Sequence, residues 1–297
     1  MNKLTVAQLR MVPGTGGMSY VIDLRGEGFI IIDGGQGSSF YRAHADVLYN
    51  YLTERSGNEK PIILGWFFTH FHLDHVACAG EFLQEHKDDI IVKNFYINDA
   101  GDDDATRDFE MEALLQRGMD AHPDTQRHFL KTGEKIYFPH CYADILLTNC
   151  DITPLGYTGP NNISAVFRIV FENGRSFFVT GDSDIARMMR LFDENDPLYR
   201  PLDELTFDVF QSAHHGRTLG TPEEAAAFAD CLRQLPAPSV CFFPIHKASF
   251  ETDPLYIDEK WADNQYMIHC GARCFHHTGT VIVDLDDMSV NTDDYEE

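Results

Sequence analysis

Four side chains able to bind a metal fall within six positions in the run Thr69-His70-Phe71-His72-Leu73-Asp74-His75. His70 and His72 are two apart, so on a tight loop both imidazoles can converge on one ion, while Asp74 and His75 face a second. Zinc takes such nitrogen and oxygen ligands, and iron and manganese suit them as well. The residues before the run, Ile62 to Thr69, are apolar and rich in Ile and Phe, which predicts a buried strand running straight into His70. Imidazoles and carboxylates at such a strand end need partners or water. Asp182 follows a second apolar stretch, Phe177-Phe178-Val179-Thr180-Gly181. Its two oxygens could bridge two cations, although a strand-end Asp is usually a helix N-cap. His214-His215-Gly216 follows a third, short strand. One His would complete the second ion, and the other would donate to a substrate oxyanion or orient a ligand. Adjacent side chains in extended backbone point opposite ways, so the two are not expected on the same ion.

The elements that must position these groups alternate between strand and helix. Strands are expected at 3–12, 20–24, 29–32, 62–69 and 90–97, with helices at 38–55 and 76–85. The block 99–135 is polar, with helical stretches at 109–117 and 125–131, and reads as an insertion that could cover a site. Strands return at 145–148, 164–171 and 176–180, the last two joined by the hairpin signal Asn173-Gly174. A helix at 184–193, a strand at 208–211, a helix at 222–234, a strand at 239–244 and a strand pair near 272–285 complete the order. With no repeat and no linker, residues 1–297 read as one domain carrying a helical insertion at 99–135.

Composition narrows the partners. Lys and Arg number 23 against 47 Asp and Glu, a net charge of −24, which argues against the many phosphate contacts an extended nucleic acid needs. The acidic runs at 102–104, 193–204 and 293–297 read as solvated surface. No apolar run reaches the roughly 18 residues of a membrane span, and MNKLTVAQLR lacks an apolar signal core, so a cytoplasmic protein acting on a small molecule is expected. Seven irregularly spaced cysteines do not form a disulfide framework. Cys270 and Cys274 lie near His269, His276 and His277, but a single C-x3-C pair reads as buried thiols beside a strand pair rather than a zinc site.

Together the early hairpin with Ile31-Ile32-Asp33-Gly34-Gly35, the H-x-H-x-D-H box, Gly181-Asp182 and His214-His215-Gly216 resemble the metallo-β-lactamase superfamily, in that family's order. The resemblance implies an α+β fold, a four-layer αββα sandwich with a dimetal cleft at one sheet edge, and makes Asp33 a structural residue rather than a ligand. Asn161-Asn162-Ile163-Ser164 ahead of Gly181-Asp182, then Asp208 and the His pair, look like the competence-protein-type and phosphodiesterase branch. Many members supply a further His to the first ion, ahead of the Asp. No His occurs between His140 and Asp182, so Asn161 or Asn162 stands in its place, with His140 and Cys150 as weaker alternatives.

The expected function is a dinuclear metal-dependent hydrolase that cleaves a phosphoester or phosphodiester with a metal-bridged hydroxide. Zinc is the expected metal, with iron or manganese as alternatives. His70, His72, Asp74, His75, Asp182 and the His214/His215 pair are the expected ligands. Asp74 is expected to orient the nucleophile, and His214 or His215 to assist the leaving group. Arg217, whose planar fork suits phosphate, and His246 and Lys247 at a late strand end are expected substrate contacts. A lactone, β-lactam or thioester hydrolase is the enzymatic rival. A non-catalytic metal- or ligand-binding module of the same fold is the rival of another class, and an oxygen-reducing di-iron relative ranks below both.

Overall fold

The computed structural model describes residues 3–12, 15–37, 40–57, 59–99, 101, 107–151 and 159–293, apart from the side chains of Cys150, Pro160 and Asn162. The acidic run at 102–104 and most of the acidic tail lie outside the described residues.

The apolar stretches form two sheets. The first holds β1 (Leu4–Gln8), β2 (Tyr20–Leu24), β3 (Phe29–Ile32), β4 (Ile62–Phe68), β5 (Ile91–Val92), β6 (Asn94–Ile97) and β7 (Gln126–Phe129), with β15 (Thr280–Asp284) and β16 (Val290–Asp293). Its order is β16-β15-β1-β2-β3-β4-β6-β7, with β5 also on β4. The second holds β8 (Lys135–Phe138), β9 (Cys141–Leu147), β10 (Val166–Phe171), β11 (Ser176–Val179), β12 (Val209–Gln211), β13 (Val240–Phe243) and β14 (Arg273–His276). These run side by side in the order β14-β13-β12-β11-β10-β9-β8.

Strand alternation sorts the side chains into layers. Ile30, Ile32 and Phe67 of the first sheet meet Phe167, Ile169, Phe177, Val179, Val209 and Phe242 of the second in a central apolar layer. The intervening residues Phe29, Ile31, Trp66 and Phe68 face outward, onto α1 (Tyr41–Arg55), α2 (Leu73–Glu85) and α3 (Phe109–Asp120). On the other side Phe178, Phe210 and Phe243 face α4 (Ile185–Met189), α5 (Pro222–Leu232), α6 (Lys247–Thr252), α7 (Pro254–Ile257) and α8 (Ala262–His269). The architecture is therefore α/β/β/α. Each fully buried Phe or Ile of these layers contributes roughly 1.5–3 kcal/mol.

Two local expectations change. Residues 126–129 form the edge strand β7, parallel to β6, and not a helix. Apolar periodicity there is short and every residue is exposed, so the pattern could not discriminate. Within the same block α3 is a regular member of the outer layer, burying Met111, Leu115 and Met119. The late strands also do not pair with each other: β14 lies parallel to β13 in the second sheet, whereas β15 is antiparallel to β1 in the first. The chain crosses between sheets at His277-Thr278-Gly279. Among the described residues no helix is long and apolar enough to cross a membrane.

Candidate dimetal centre

β3 and β4 are parallel, as are β11, β12 and β13, and the ends of these strands deliver the chemistry to one edge of the sandwich. β4 ends at Phe68, and His70 sits on the loop beyond it. His72 is the N-cap of α2, which starts at Leu73, earlier than the apolar pattern implied. Asp74 and His75 are thus in the first helical turn, where a carboxylate is favoured by the helix dipole.

The side chains form two groups. His70, His72 and Asp182 have ligand atoms within 4.8 Å of one another, and so do Asp74, His75 and His215. Asp182 stands between them. Its Oδ1 lies 3.2 Å from His75 Nε2, and its Oδ2 lies 3.7 Å from both His70 Nε2 and His215 Nε2. The N-cap role expected of a strand-end Asp belongs instead to Asp184, which accepts the Arg187 amide.

Each ring is oriented through its other nitrogen. His75 Nδ1 donates to Asp33 Oδ2 at 2.7 Å, and the same carboxylate accepts the amide and hydroxyl of Thr69 at 2.8 and 2.7 Å. His215 Nδ1 donates to the Pro244 carbonyl at 2.8 Å, and His70 Nδ1 lies 3.2 Å from Thr69 Oγ1. Asp33 has φ +53°, a left-handed conformation that Asp tolerates better than most residues. It is fully buried and belongs to neither ligand group, touching the centre through His75 Nδ1.

Nε2 of His70, His75 and His215 and Oδ1 of Asp182 are buried without a well-directed hydrogen bond among the described residues, although His75 Nε2 faces Asp182 Oδ1 at 3.2 Å and His215 Nε2 faces Asp74 Oδ2 at 2.9 Å. Leaving such groups unmatched costs about 1–3 kcal/mol each, more for charged ones. A donor set of imidazole nitrogens and carboxylate oxygens aimed at common points is what a divalent cation satisfies. The residues therefore fit two cations.

Electrostatics agrees. Burial, then the neighbouring His75, hold His70 and His72 below the usual histidine range, so they stay neutral and ready to bind. Burial alone would lift Asp182, but the charges of His75, His215 and His214 hold it well below the carboxylate range. Burial would lift Asp74 as well, but the His215 imidazole 2.9 Å away and the His75 charge hold it low.

His214 and His215 differ from the expectation in backbone only, since one of them alone, His215, falls in a ligand group. Both have left-handed backbone, with φ 47° and 61°, rather than extended conformation. Their rings consequently turn toward the same region. His215 joins the second group, while His214 Nε2 lies 3.9 Å from Asp182 Oδ2 and 3.2 Å from Asn161 Nδ2. Asn161 thus reaches the cleft, with its Oδ1 buried and unpartnered among the described residues. The side chains of Asn162 and Cys150 lie outside the described residues. His140 is far from the site, paired with Glu172 and Glu27 at the opposite end of β9. Arg217 is exposed just past the His pair, beside a small cavity lined by Thr218 and Asp263. His246 caps α6 with its ring 6.5 Å from His277, and Lys247 lies 3.9 Å from Glu251. None of these three belongs to either ligand group.

Spacing missed several supporting residues. Ser164 Oγ accepts the Asp182 amide at 3.0 Å. Gln211 Oε1 accepts the Thr180 and Gly181 amides at 2.7 and 2.8 Å, and its Nε2 donates to the Gly181 carbonyl at 3.0 Å. Buried Arg187 ties the carbonyls of Ser164 and Thr148 together, and Asn98 ties those of Thr69 and Ile163. The one signal was a Gln closing the apolar strand Val209-Phe210-Gln211. The backbone at Gly16 presses on Asp74, where a Cβ would stand 3.3 Å from Oδ2.

Comparison with known proteins agrees with the geometry. Residues 12–144 match the model of the metallo-beta-lactamase superfamily, a stretch that carries the whole His70 to His75 box. Over that stretch the chain is similar to the metallo-β-lactamase superfamily, and its four-layer fold is consistent with the sandwich of that superfamily. Asp182 and the His pair lie beyond the matched stretch and stand on their geometry. No curated protein matches the sequence. Among solved structures, CmlA, a diiron beta-hydroxylase from Streptomyces venezuelae, aligns with TM-score 0.57 and 10% identity over 96% of this chain and 55% of that one. This chain therefore spans about half the length of CmlA. Unliganded yeast PDE1 aligns with TM-score 0.53 and 12% identity over 92% of this chain and 97% of that one. Both are likenesses of fold.

Proposed function

We propose that this chain is a dinuclear metal-dependent hydrolase that cleaves a small phosphoester or phosphodiester. The observation that carries it is the set of buried Nε2 atoms of His70, His75 and His215 that face only carboxylate oxygens, those of Asp182 and Asp74. His70, His72 and Asp182 would hold one divalent cation, and Asp74, His75 and His215 the other, with Asp182 shared. Asn161 Oδ1 is a neutral oxygen available to the first. Zinc is the metal proposed, and the donor set also suits iron and manganese. Such cations supply Lewis acidity and make water nucleophilic near neutral pH.

The chain's own residues do the rest. Asp33, Thr69 and Pro244 fix the rings so that little reorganisation is needed. Asp74 stays anionic and orients the nucleophile. His214 Nε2 accepts the Asn161 amide, which leaves Nδ1–H as a donor without a partner among the described residues. That proton serves the departing oxygen. Arg217, His246 and Lys247 supply positive or hydrogen-bonding groups for a phosphate at the rim, with Arg217 offering two parallel donors. A net charge of −24 favours a small substrate over a long polyanion.

A substrate panel tests this. The metal-loaded protein is expected to hydrolyse bis(p-nitrophenyl) phosphate and to leave a homoserine lactone and nitrocefin intact. Lactone or β-lactam turnover without phosphodiester turnover would overturn the substrate class. Bound metal with no turnover on any of them would point to a binding module instead.

A further inference from the structure

Away from the candidate metal centre, three thiols gather on the outer face of the second sheet. Cys241 on β13 and Cys274 on β14 are register partners on parallel strands, packed against the outer helical layer. Cys270 is the C-cap of α8. The Sγ atoms of Cys270 and Cys274 both donate to the Met267 carbonyl, at 3.4 and 3.5 Å, so the two sulfurs converge on one oxygen. Both residues are partly exposed, whereas Cys241 is fully buried. Between them Gly271 has φ +96° and open space around it, so the short Cys-Gly-Ala-Arg-Cys turn has room to close.

We propose that Cys274 and Cys270 form a peroxide-oxidisable dithiol, with Cys274 oxidised first and Cys270 resolving it. The Cys274 thiolate attacks one oxygen of hydrogen peroxide and the O–O bond breaks, giving a sulfenic acid and a hydroxide that leaves as water. The Cys270 thiolate then attacks the sulfenic sulfur. The S–S bond forms, the S–O bond breaks, and hydroxide leaves as a second water. In sum, two thiols and one peroxide yield one disulfide and two waters.

The order follows from local chemistry. The hydrogen bond from Cys241 lowers the Cys274 thiol against the opposing effect of burial, while burial raises Cys78, Cys141, Cys231, Cys241 and Cys270. Thiolate character and access select the site of oxidation. Cys241 is the register partner but is locked on a strand, whereas Cys270 sits at a helix end beside Gly271. The link would tie the end of α8 to β14. That helix also carries Asn264, whose amide donates to the Gly216 carbonyl next to His215.

Hydrogen peroxide treatment of the full chain, followed by alkylation of remaining thiols and peptide mass spectrometry, tests this. A Cys270–Cys274 cross-link is expected in the wild type. Cys270→Ser is expected to stop at a sulfenic acid on Cys274, trapped by dimedone, and Cys274→Ser to leave Cys270 reduced. A Cys241–Cys274 link overturns the assignment of the resolving thiol. Wild-type protein in which Cys231 is oxidised while Cys270 and Cys274 remain reduced overturns the proposal, whatever the variants do.

Discussion

Asp33 shows how a residue that binds nothing can set a ligand. Its carboxylate holds His75 Nδ1 at 2.7 Å, so His75 can offer only Nε2 to the cleft. Asp33→Asn keeps the shape but removes the anionic acceptor. It is expected to weaken metal binding about 10- to 100-fold, measured by competition with a chelating dye. Unchanged affinity would remove Asp33 from the account. His140 gives a pH prediction away from the metals. The Glu172 hydrogen bond, less the cost of partial burial and aided by Glu27, raises its pKa above the ordinary value. A raised folded pKa contributes stability fully below the unfolded value near 6.5, and that contribution is lost as pH rises through the folded pKa. His140→Gln should therefore destabilise the protein at pH 5.5 more than at pH 8.5 in urea melts. Equal losses at the two pH values would contradict this.

At the scale of elements, the turn after β11 governs Asp182. Gly181 has φ +54°, and a Cβ there would lie 2.9 Å from Ser164 Cβ and 3.1 Å from Thr69 Cβ. Gly181→Ala should cost on the order of 1–3 kcal/mol in urea denaturation, and it should loosen metal binding by displacing Ser164 from the Asp182 amide. An unperturbed variant would mean the turn is softer than its packing implies. The same turn marks the limit of what sequence reveals. His70 to His75 was legible because the ligand types crowd one strand end, and Asp182 because it closes an apolar strand. Ser164, Gln211 and Arg187 were not, because tertiary folding alone brings their polar groups to the turn. The backbone of His214 and His215 was equally hidden, since nothing in His-His-Gly fixes left-handed dihedrals on two histidines. Apolar alternation also looks the same whichever sheet a strand joins, which is why β14 and β15 read as a pair.

Across the whole molecule, the four layers hold two strand ends against each other, and the histidine cluster lies where they meet. Neither sheet owns the site: His70, His72, Asp74 and His75 come from the first, Asp182, His214 and His215 from the second. A cation would therefore cross-link the sheets and stabilise the native state by mass action. The proposed substrate class rests on Arg217, His246 and Lys247, whereas metal binding rests on these ligands and the groups that orient them. Elemental analysis of purified wild type and His70→Ala/His72→Ala, with bis(p-nitrophenyl) phosphate hydrolysis on the same samples, tests that claim most directly. About two divalent ions per chain are predicted for the wild type, with loss of the first-site ion and of nearly all turnover in a variant that remains folded. A wild type that binds no metal after divalent ions are supplied, or a double variant with unchanged metal content and turnover, would contradict the account.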